Sequence, residues 1–371
     1  MKFKVKRNDL LTELSYITPV VEKSSKMPIL THVLLDPRQE DNQLVMAGSD
    51  LTVSIRSSCP AMVEEGGPLA LPARELTDIV RFIPESAEIC LQSEGSERVY
   101  ITFGRSKTRI VCLPADNFPL ISDFSGAYLS VPGDVLRAMI QMTIFSTTHE
   151  QSRFSLNGVL LVINRNFIKM VSTDGHRMAY AEAPKVFEEL EAEFKILIPK
   201  KTVAELSRML QKDHLFVQFA HDSNHLYFKV DNRLLVSGLL AGQFPNYEMV
   251  LPRNLYHRVQ LKTVELKNVV HRLNVMADEV SKRIIFRLEA EKIFLRSEDV
   301  RKGEAEEEIY STYAGDKVEF AFNSQYLLEF LNVVESPEVV FEFSDENTAG
   351  LFRVSGGLDI TYKYVVMPMS I

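Results

Sequence analysis

The stretch Val171-Ser172-Thr173-Asp174-Gly175-His176-Arg177-Met178-Ala179-Tyr180 decides the fold. It reads as a β-hairpin: apolar residues end one strand, Thr-Asp-Gly makes the turn, and Met178-Ala179-Tyr180 starts the return strand. An Asp there can accept bonds from the backbone just ahead of it, and Gly takes φ > 0 without steric penalty. The stretch Met46-Ala47-Gly48-Ser49-Asp50-Leu51-Thr52-Val53-Ser54-Ile55 has the same form, and Asp50 precedes Asp174 by 124 residues. A spacing of that size is a domain length, so the chain is expected to repeat.

Outward from these hairpins the same order of elements recurs. A strand at Phe3 to Val5 leads into a helix striped by Leu10, Leu14 and Ile17, which Pro19 ends. Strands follow, and Leu71-Pro72-Ala73-Arg74 opens a second helix carrying Leu76, Ile79, Val80 and Ile83, before the unit closes at Phe118-Pro119. The second pass has helices marked by Leu136, Met139 and Ile140 and by Val203, Leu206 and Leu210. It closes at Phe244-Pro245, 126 residues after its counterpart. The third has Leu266, Val269, Val270 and Leu273, then Leu327, Phe330, Leu331 and Val334, and a final strand at Tyr362 to Met367. The expected class is α+β, with three repeated domains at 1–124, 125–253 and 254–371, each holding two helices packed on antiparallel sheets.

Composition agrees with a globular chain. Of 371 residues, 46% are hydrophobic and 25% charged, enough for two or three cores. Cys59, Cys90 and Cys112 are far apart with no CxxC, so neither a disulfide framework nor a thiolate metal site is indicated. The start MKFKVKRNDLL lacks the apolar core of a signal peptide, and no apolar run is long enough for a membrane helix. A cytoplasmic protein with no membrane partner and no cofactor is expected. A net charge of -8 excludes a general nucleic-acid glue but not local or weak contact.

Six helices standing side by side at about 9 Å enclose a bore only about 17 Å wide, too narrow for duplex DNA. Twelve helices, from two chains, give about 34 Å by the same arithmetic, and a hydrated duplex passes. Across the six candidate wall helices the formal charge sums to +2, against -8 for the chain. A weakly positive wall suits sliding, because each firm phosphate contact makes binding more salt-dependent. Ordinary solvated helix faces give similar numbers.

Several runs then carry a resemblance: LPARELTDI from Leu71, SLNG at Ser155 to Gly158, STDGHR at Ser172 to Arg177, GQFPNY at Gly242 to Tyr247 and YVVMPM at Tyr364 to Met369. Together with the triple repeat, over Met1 to Ile371, they resemble the bacterial DNA polymerase III beta subunit family, the sliding clamps. The resemblance implies a ring-shaped head-to-tail homodimer whose helices line the bore. It implies a non-catalytic processivity factor that encircles double-stranded DNA without reading its sequence. The implied partners are the DNA polymerase III catalytic subunit, the clamp loader and other proteins with a clamp-binding motif.

Residue by residue, the resemblance implies a partner-peptide pocket at Leu156, Thr173, Gly175, His176, Arg177, Met178, Pro245, Met249, Val250, Val365, Met367, Pro368 and Met369. The chemistry of these residues supports it: methionines repack around different ligands and Gly175 admits a close backbone approach. DNA contact is implied for Lys23, Lys26, Arg74, His149, Phe154 and Lys200. Ser24 and Ser155 stand where better-known members carry Arg and Tyr, and Glu150 replaces a neutral amide, which points to weaker local contact. The expected subunit interface sets Arg105, Lys107 and Arg109, alternating on one strand face, against Glu304, Glu306 and Glu308. Ile110 is expected to pack there with Val275 and Met276, the latter two by resemblance. Both charge runs also read as edges that deter aggregation.

Other chemistries read less well. Asp174 and His176 have no Ser or Cys nucleophile in a recognisable motif, and a hairpin Asp usually caps its own turn. His221 and His225 have a spacing that suits metal on a helix, but Asp222-Ser223-Asn224 between them reads as a turn, so no metal is expected. The alternatives of another class are a metal-dependent nuclease, for which no carboxylate cluster is evident, and a protein-binding scaffold without DNA encirclement.

Overall fold

The computed structural model describes residues 1–148, 150, 154–185, 187–188, 190, 192–210, 216–354 and 359–371. Each repeat is two modules of one kind, a strand, a helix and three more strands. The first repeat has β1 (Lys2–Lys6), α1 (Arg7–Ile17), β2 (His32–Arg38), β3 (Gln43–Ser49) and β4 (Val53–Pro60), then β5 (Met62–Glu65). Its second module is β6 (Leu69–Pro72), α2 (Ala73–Arg81), β7 (Glu88–Glu94), β8 (Arg98–Phe103) and β9 (Ser106–Val111), followed by β10 (Leu113–Pro114). The central repeat has β11 (Leu129–Pro132), α3 (Gly133–Thr143), β12 (Gly158–Ile163), β13 (Phe167–Thr173) and β14 (Arg177–Pro184), then β15 (Phe194–Pro199), α4 (Lys200–Met209), β16 (Phe216–His221), β17 (His225–Val230) and β18 (Arg233–Gly238). The last has β19 (His257–Lys262), α5 (Thr263–Met276), β20 (Arg283–Glu289), β21 (Lys292–Asp299) and β22 (Gly303–Tyr310), then β23 (Val318–Asn323), α6 (Ser324–Val333), β24 (Glu338–Phe343), β25 (Gly350–Val354) and β26 (Thr361–Val366).

The helices form where the apolar stripe falls. Leu10, Leu14 and Ile17 of α1 are fully buried, and each such side chain contributes roughly 1.5–3 kcal/mol when removed from water. The Thr18 N–H closes the last turn on the Leu14 carbonyl at 2.9 Å, and Pro19 prevents continuation. Gly48 of β3 lets α1 lie close, since a Cβ there would stand 2.5 Å from Ile17 Cγ2. On α2, Leu76 and Val80 are buried while Arg74, Glu75, Asp78 and Arg81 face water. Asn323 caps α6 by accepting from the Gln325 N–H at 2.9 Å. Among the described residues no helix is long and apolar enough to cross a membrane.

The modules of each repeat exchange their first strands. β1 pairs with β7 and β6 with β2; β11 pairs with β16 and β15 with β12; β19 pairs with β24 and β23 with β20, all antiparallel. The last strands of modules then join sheets across repeats, β4 to β18 and β14 to β26. Four sheets result, with orders β5-β1-β7-β8-β9, β10-β6-β2-β3-β4-β18-β17-β16-β11, β15-β12-β13-β14-β26-β25-β24-β19 and β22-β21-β20-β23. Among the described residues, only β9 and β22 of the six module-ending strands lie at a sheet edge.

The chain divides into two compact units, Met1–Asp134 with Ala204–Leu239, and Val135–Val203 with Leu240–Ile371. The first holds the five- and nine-stranded sheets and the second the eight- and four-stranded ones, so the central repeat contributes to both.

Candidate functional site

The β13–β14 hairpin turns as its sequence requires. Asp174 Oδ1 accepts from the His176 and Arg177 N–H groups at 3.0 and 3.1 Å, and Gly175 takes φ of 93°. The Thr173 hydroxyl donates to the Arg177 carbonyl at 2.6 Å and accepts from the Gly175 N–H at 3.1 Å. Asp50 does the same for β3–β4, accepting from Thr52 and Val53, but there Leu51 takes the positive φ of 73°. A third copy, missed in the sequence, is Asp299, 125 residues after Asp174, which accepts from Arg301 and Lys302 at the β21–β22 turn. Only its Asp and its spacing betray it, because neither Thr nor Gly accompanies it.

Alternation along β14 separates its side chains. Met178 and Tyr180 join an apolar cluster with Leu160, Val171, Leu351 and Val365, and Met178 pairs directly with Val365 of β26. Arg177 points to the opposite face. Its guanidinium is 2.9 Å from Asp174, 2.5 Å from Glu329 and 2.8 Å from the Phe145 carbonyl, over the Tyr326 ring. Burial opposes its charge, but Tyr364, Glu329 and Asp174 more than compensate, and its pKa is raised. Arg177 therefore braces the hairpin from behind. Tyr326 and Glu329, the residues that hold it, were not legible as site residues because they lie about 150 positions away.

Two further segments come to the same cluster. The chain end is stitched on by the Met367 N–H to the His176 carbonyl at 2.9 Å and the Met369 N–H to the Ala321 carbonyl at 2.8 Å. The segment after β18 packs Phe244, Tyr247, Leu251 and Leu255 over the cluster, with Pro245 exposed at its start. Met249 is 77% exposed, Val250 42% and Met367 47%, so apolar surface is left open to water around a buried floor. Gly175 and His176 are exposed and Thr173 and Pro368 half-buried beside it. Leu156 is buried in a short 3-10 turn and stands outside this cluster.

Of the residues implied for DNA contact, Lys23 and Lys26 are exposed in the loop after α1, and Arg74 is exposed on the first turn of α2. Lys200, first in α4, is half-buried; burial and the nearby Arg177 charge lower its pKa against the pull of Glu329 and Asp174. His149 lies outside the described residues, as does the side chain of Phe154.

On β9, Lys107, Arg109 and Val111 are exposed on one face, with Arg105 in the turn before it, whereas Ile110 is buried in its own sheet opposite Val99. On β22, Glu304 pairs with Arg296 at 3.1 Å and Glu308 with Lys292 at 3.1 Å, and Glu306 stands between them, exposed. Val275 is 66% exposed at the end of α5 and Met276 half-buried.

The Asp174 carboxylate is occupied by its own turn and by Arg177, and Asp222 caps the turn between His221 and His225 with bonds of 2.7 Å to Asn224 and His225. Among the described residues no three His, Cys, Asp or Glu side chains converge to hold a metal. What the fold offers is binding surface: a repeat-built α+β protein with free sheet edges and an apolar shelf.

Comparison with known proteins places it within that class. The chain belongs to the DNA polymerase III beta subunit family: the N-terminal, central and C-terminal domain descriptions of that subunit match residues 1–122, 130–246 and 248–370. It is 32% identical to a beta sliding clamp of Pseudomonas putida, 33% to one of Vibrio cholerae and 31% to one of Escherichia coli, in each case over 100% of both chains. Its structure is similar to that of a Pseudomonas aeruginosa sliding clamp bound to griselimycin, with a TM-score of 0.91 at 30% identity over 100% of both chains. It is also similar to a Caulobacter crescentus beta sliding clamp with polyethylene glycol at a putative beta-motif tethering region, with a TM-score of 0.93 at 29% identity over 100% of this chain and 99% of that one.

Proposed function

We propose that two copies of this chain close head to tail around duplex DNA as a sliding clamp that tethers DNA polymerase III and other replication and repair proteins. It is a non-catalytic subunit working in the cytoplasm. Its working domains are 1–124, 125–253 and 254–371, and the helices of the modules line the bore.

The observation that carries this reading is the pair of module-ending strands left at sheet edges. Modules of successive repeats join at β4–β18 and β14–β26, and β9 and β22 are the strands left over. Joining β9 of one copy to β22 of another continues the same rule, and with two copies the series closes. Lys107 and Arg109 then face Glu304, Glu306 and Glu308, with Val111, Val275 and Met276 as the apolar contacts beside them. Ile110 supports β9 from within its own sheet.

The open apolar shelf around Met178, Met249, Val250, Val365 and Met367 fits short extended apolar peptides, each making few contacts and exchanging readily. Lys23, Lys26, Arg74 and Lys200 supply phosphate contacts, with His149 and Phe154 assigned by resemblance alone. The test loads the protein on nicked circular DNA and follows retention. A clamp persists until the circle is linearised, whereas a scaffold that does not enclose DNA leaves both forms at the same rate.

A further inference from the structure

The tie between Arg177 and Glu329 follows a rule that recurs at the other inter-repeat junction. Arg177 is the first residue of β14, three after the turn-forming Asp174, and Glu329 is the sixth residue of α6 in the next repeat. At β4–β18 the first residue of β18, Arg233, is held by Glu13 of α1 at 2.6 and 2.8 Å. Each arginine also lies over a tyrosine of the helix that binds it, Tyr326 at 4.2 Å and Tyr16 at 4.1 Å. A cation opening a joining strand is thus clipped to a carboxylate on a helix of the neighbouring repeat.

Comparable charges stand beside the two module-ending strands left at sheet edges, although Lys302 falls one residue before the start of β22. Lys302 lies three residues after the turn-forming Asp299, as Arg177 does after Asp174. Asp78 is the sixth residue of α2, and the buried Ala73, Leu76 and Val80 match Ser324, Leu327 and Leu331 of α6, which puts Asp78 in register with Glu329. Both are exposed and paired within their own repeat: Lys302 with Glu279, in the loop after α5, at 3.2 Å, and Asp78 with Arg81 of its own helix at 3.1 Å. Arg301 and Glu75 flank them with the same signs.

We propose that Lys302 of one copy pairs with Asp78 of the partner subunit where β22 meets β9, a third clip of the Arg177–Glu329 kind. This rests on the two-copy reading above and adds to it. Its polarity is opposite to that of the strands, which set basic β9 against acidic β22. The junction therefore carries charges of alternating sign, and a slip of the two strands along each other brings like charges together, so the clip fixes register.

The experiment makes Asp78→Lys and Lys302→Glu singly and together in the full-length chain. The dimer dissociation constant is measured by sedimentation of labelled protein at low salt. Each single change is expected to weaken the dimer about tenfold, two exposed pairs being lost per closed ring, and the double exchange to recover most of that. High salt should shrink the single effects. Single effects that simply add in the double variant overturn the clip while leaving the dimer standing. A wild-type chain that stays monomeric overturns the dimer reading and the clip with it, so the two failures are distinguishable.

Discussion

The two inter-repeat junctions use the same strand pairing and end in different surfaces. At β4–β18 the segment after β10 lays Ile121, Phe124 and Tyr128 over Ala220, Tyr227, Leu234 and Val236. Asp123 of that segment is pinned to Arg56 at 2.5 Å, and the Phe124 ring meets Tyr128 edge to face at 5.5 Å and Tyr227 tilted at 5.3 Å. A cleft of about 360 Å³ beside it is lined mainly by polar groups, among them Arg38, Arg56, Asp123 and Lys229, with Val45 and Leu234 as its apolar part. At β14–β26 the covering segment buries Tyr247 but leaves Met249 and Val250 in water, and the chain end adds Met367. The first covering segment leaves Leu120 in water, whereas at the second junction Met249, Val250 and the chain-end Met367 are exposed together, which costs apolar exposure and is the price of having somewhere for a partner to bind.

The two clips differ in the same direction. The Glu13 and Arg233 side chains are 6% and 9% exposed, whereas the Glu329 side chain is 30% exposed. Removing one member of a largely buried pair leaves an uncompensated charge, so Glu13→Gln should cost about 3 kcal/mol in urea unfolding. Water reaches Glu329, so Glu329→Gln should cost about 1–2 kcal/mol by the same measurement. Equal costs would break the contrast between the two junctions.

Next in size is the chain end. Deleting Met367 to Ile371 removes the backbone bonds to His176 and to Ala321 of β23 together with the exposed methionine, and should lower affinity for a polymerase-derived peptide about a hundredfold, roughly 2.7 kcal/mol, in fluorescence anisotropy. The dimer mass should be unchanged. Unaltered peptide binding would place the site elsewhere.

Met249→Ser with Val250→Ser should weaken peptide binding about tenfold and leave stability within about 0.5 kcal/mol, as exposed apolar residues do. Phe124→Ala, the corresponding cover at the first junction, should instead cost about 2 kcal/mol of stability and leave peptide affinity alone.

The smallest effect concerns the turns. Leu51 holds φ of 73° where Gly175 holds 93°. Leu51→Gly should stabilise by about 0.5 kcal/mol, relief of left-handed strain being partly offset by unfolded-state entropy, while Gly175→Ala should destabilise by about 1 kcal/mol. Differential scanning calorimetry reads both.

The repeat, its helices and its turns were legible because each rests on residues close in sequence. Leu10, Leu14 and Ile17 share a helix face at one spacing only, and Asp174 meets the amides of His176 and Arg177 two and three positions on. The candidate shelf was reached through resemblance, and its chemistry of Met, Pro and Gly agreed. Arg177 shows the limit: the STDGHR run marked it, but nothing local says that its side chain turns away from Met178 and is held by Glu329.

Sequence alone determined the module, strand then helix then strands, since side-chain period and turn chemistry act within a few residues. Tertiary structure decided that sister modules exchange their first strands, that β4 joins β18 and β14 joins β26, and that β9 and β22 are left at the edges. Any strand edge offers the same N–H and C=O groups, so the choice of neighbour lies with packing on the sheet faces and with ties such as Glu13–Arg233, 220 residues apart. Such contacts leave no periodic trace in the chain, which is why the order of elements could be read and their partners could not.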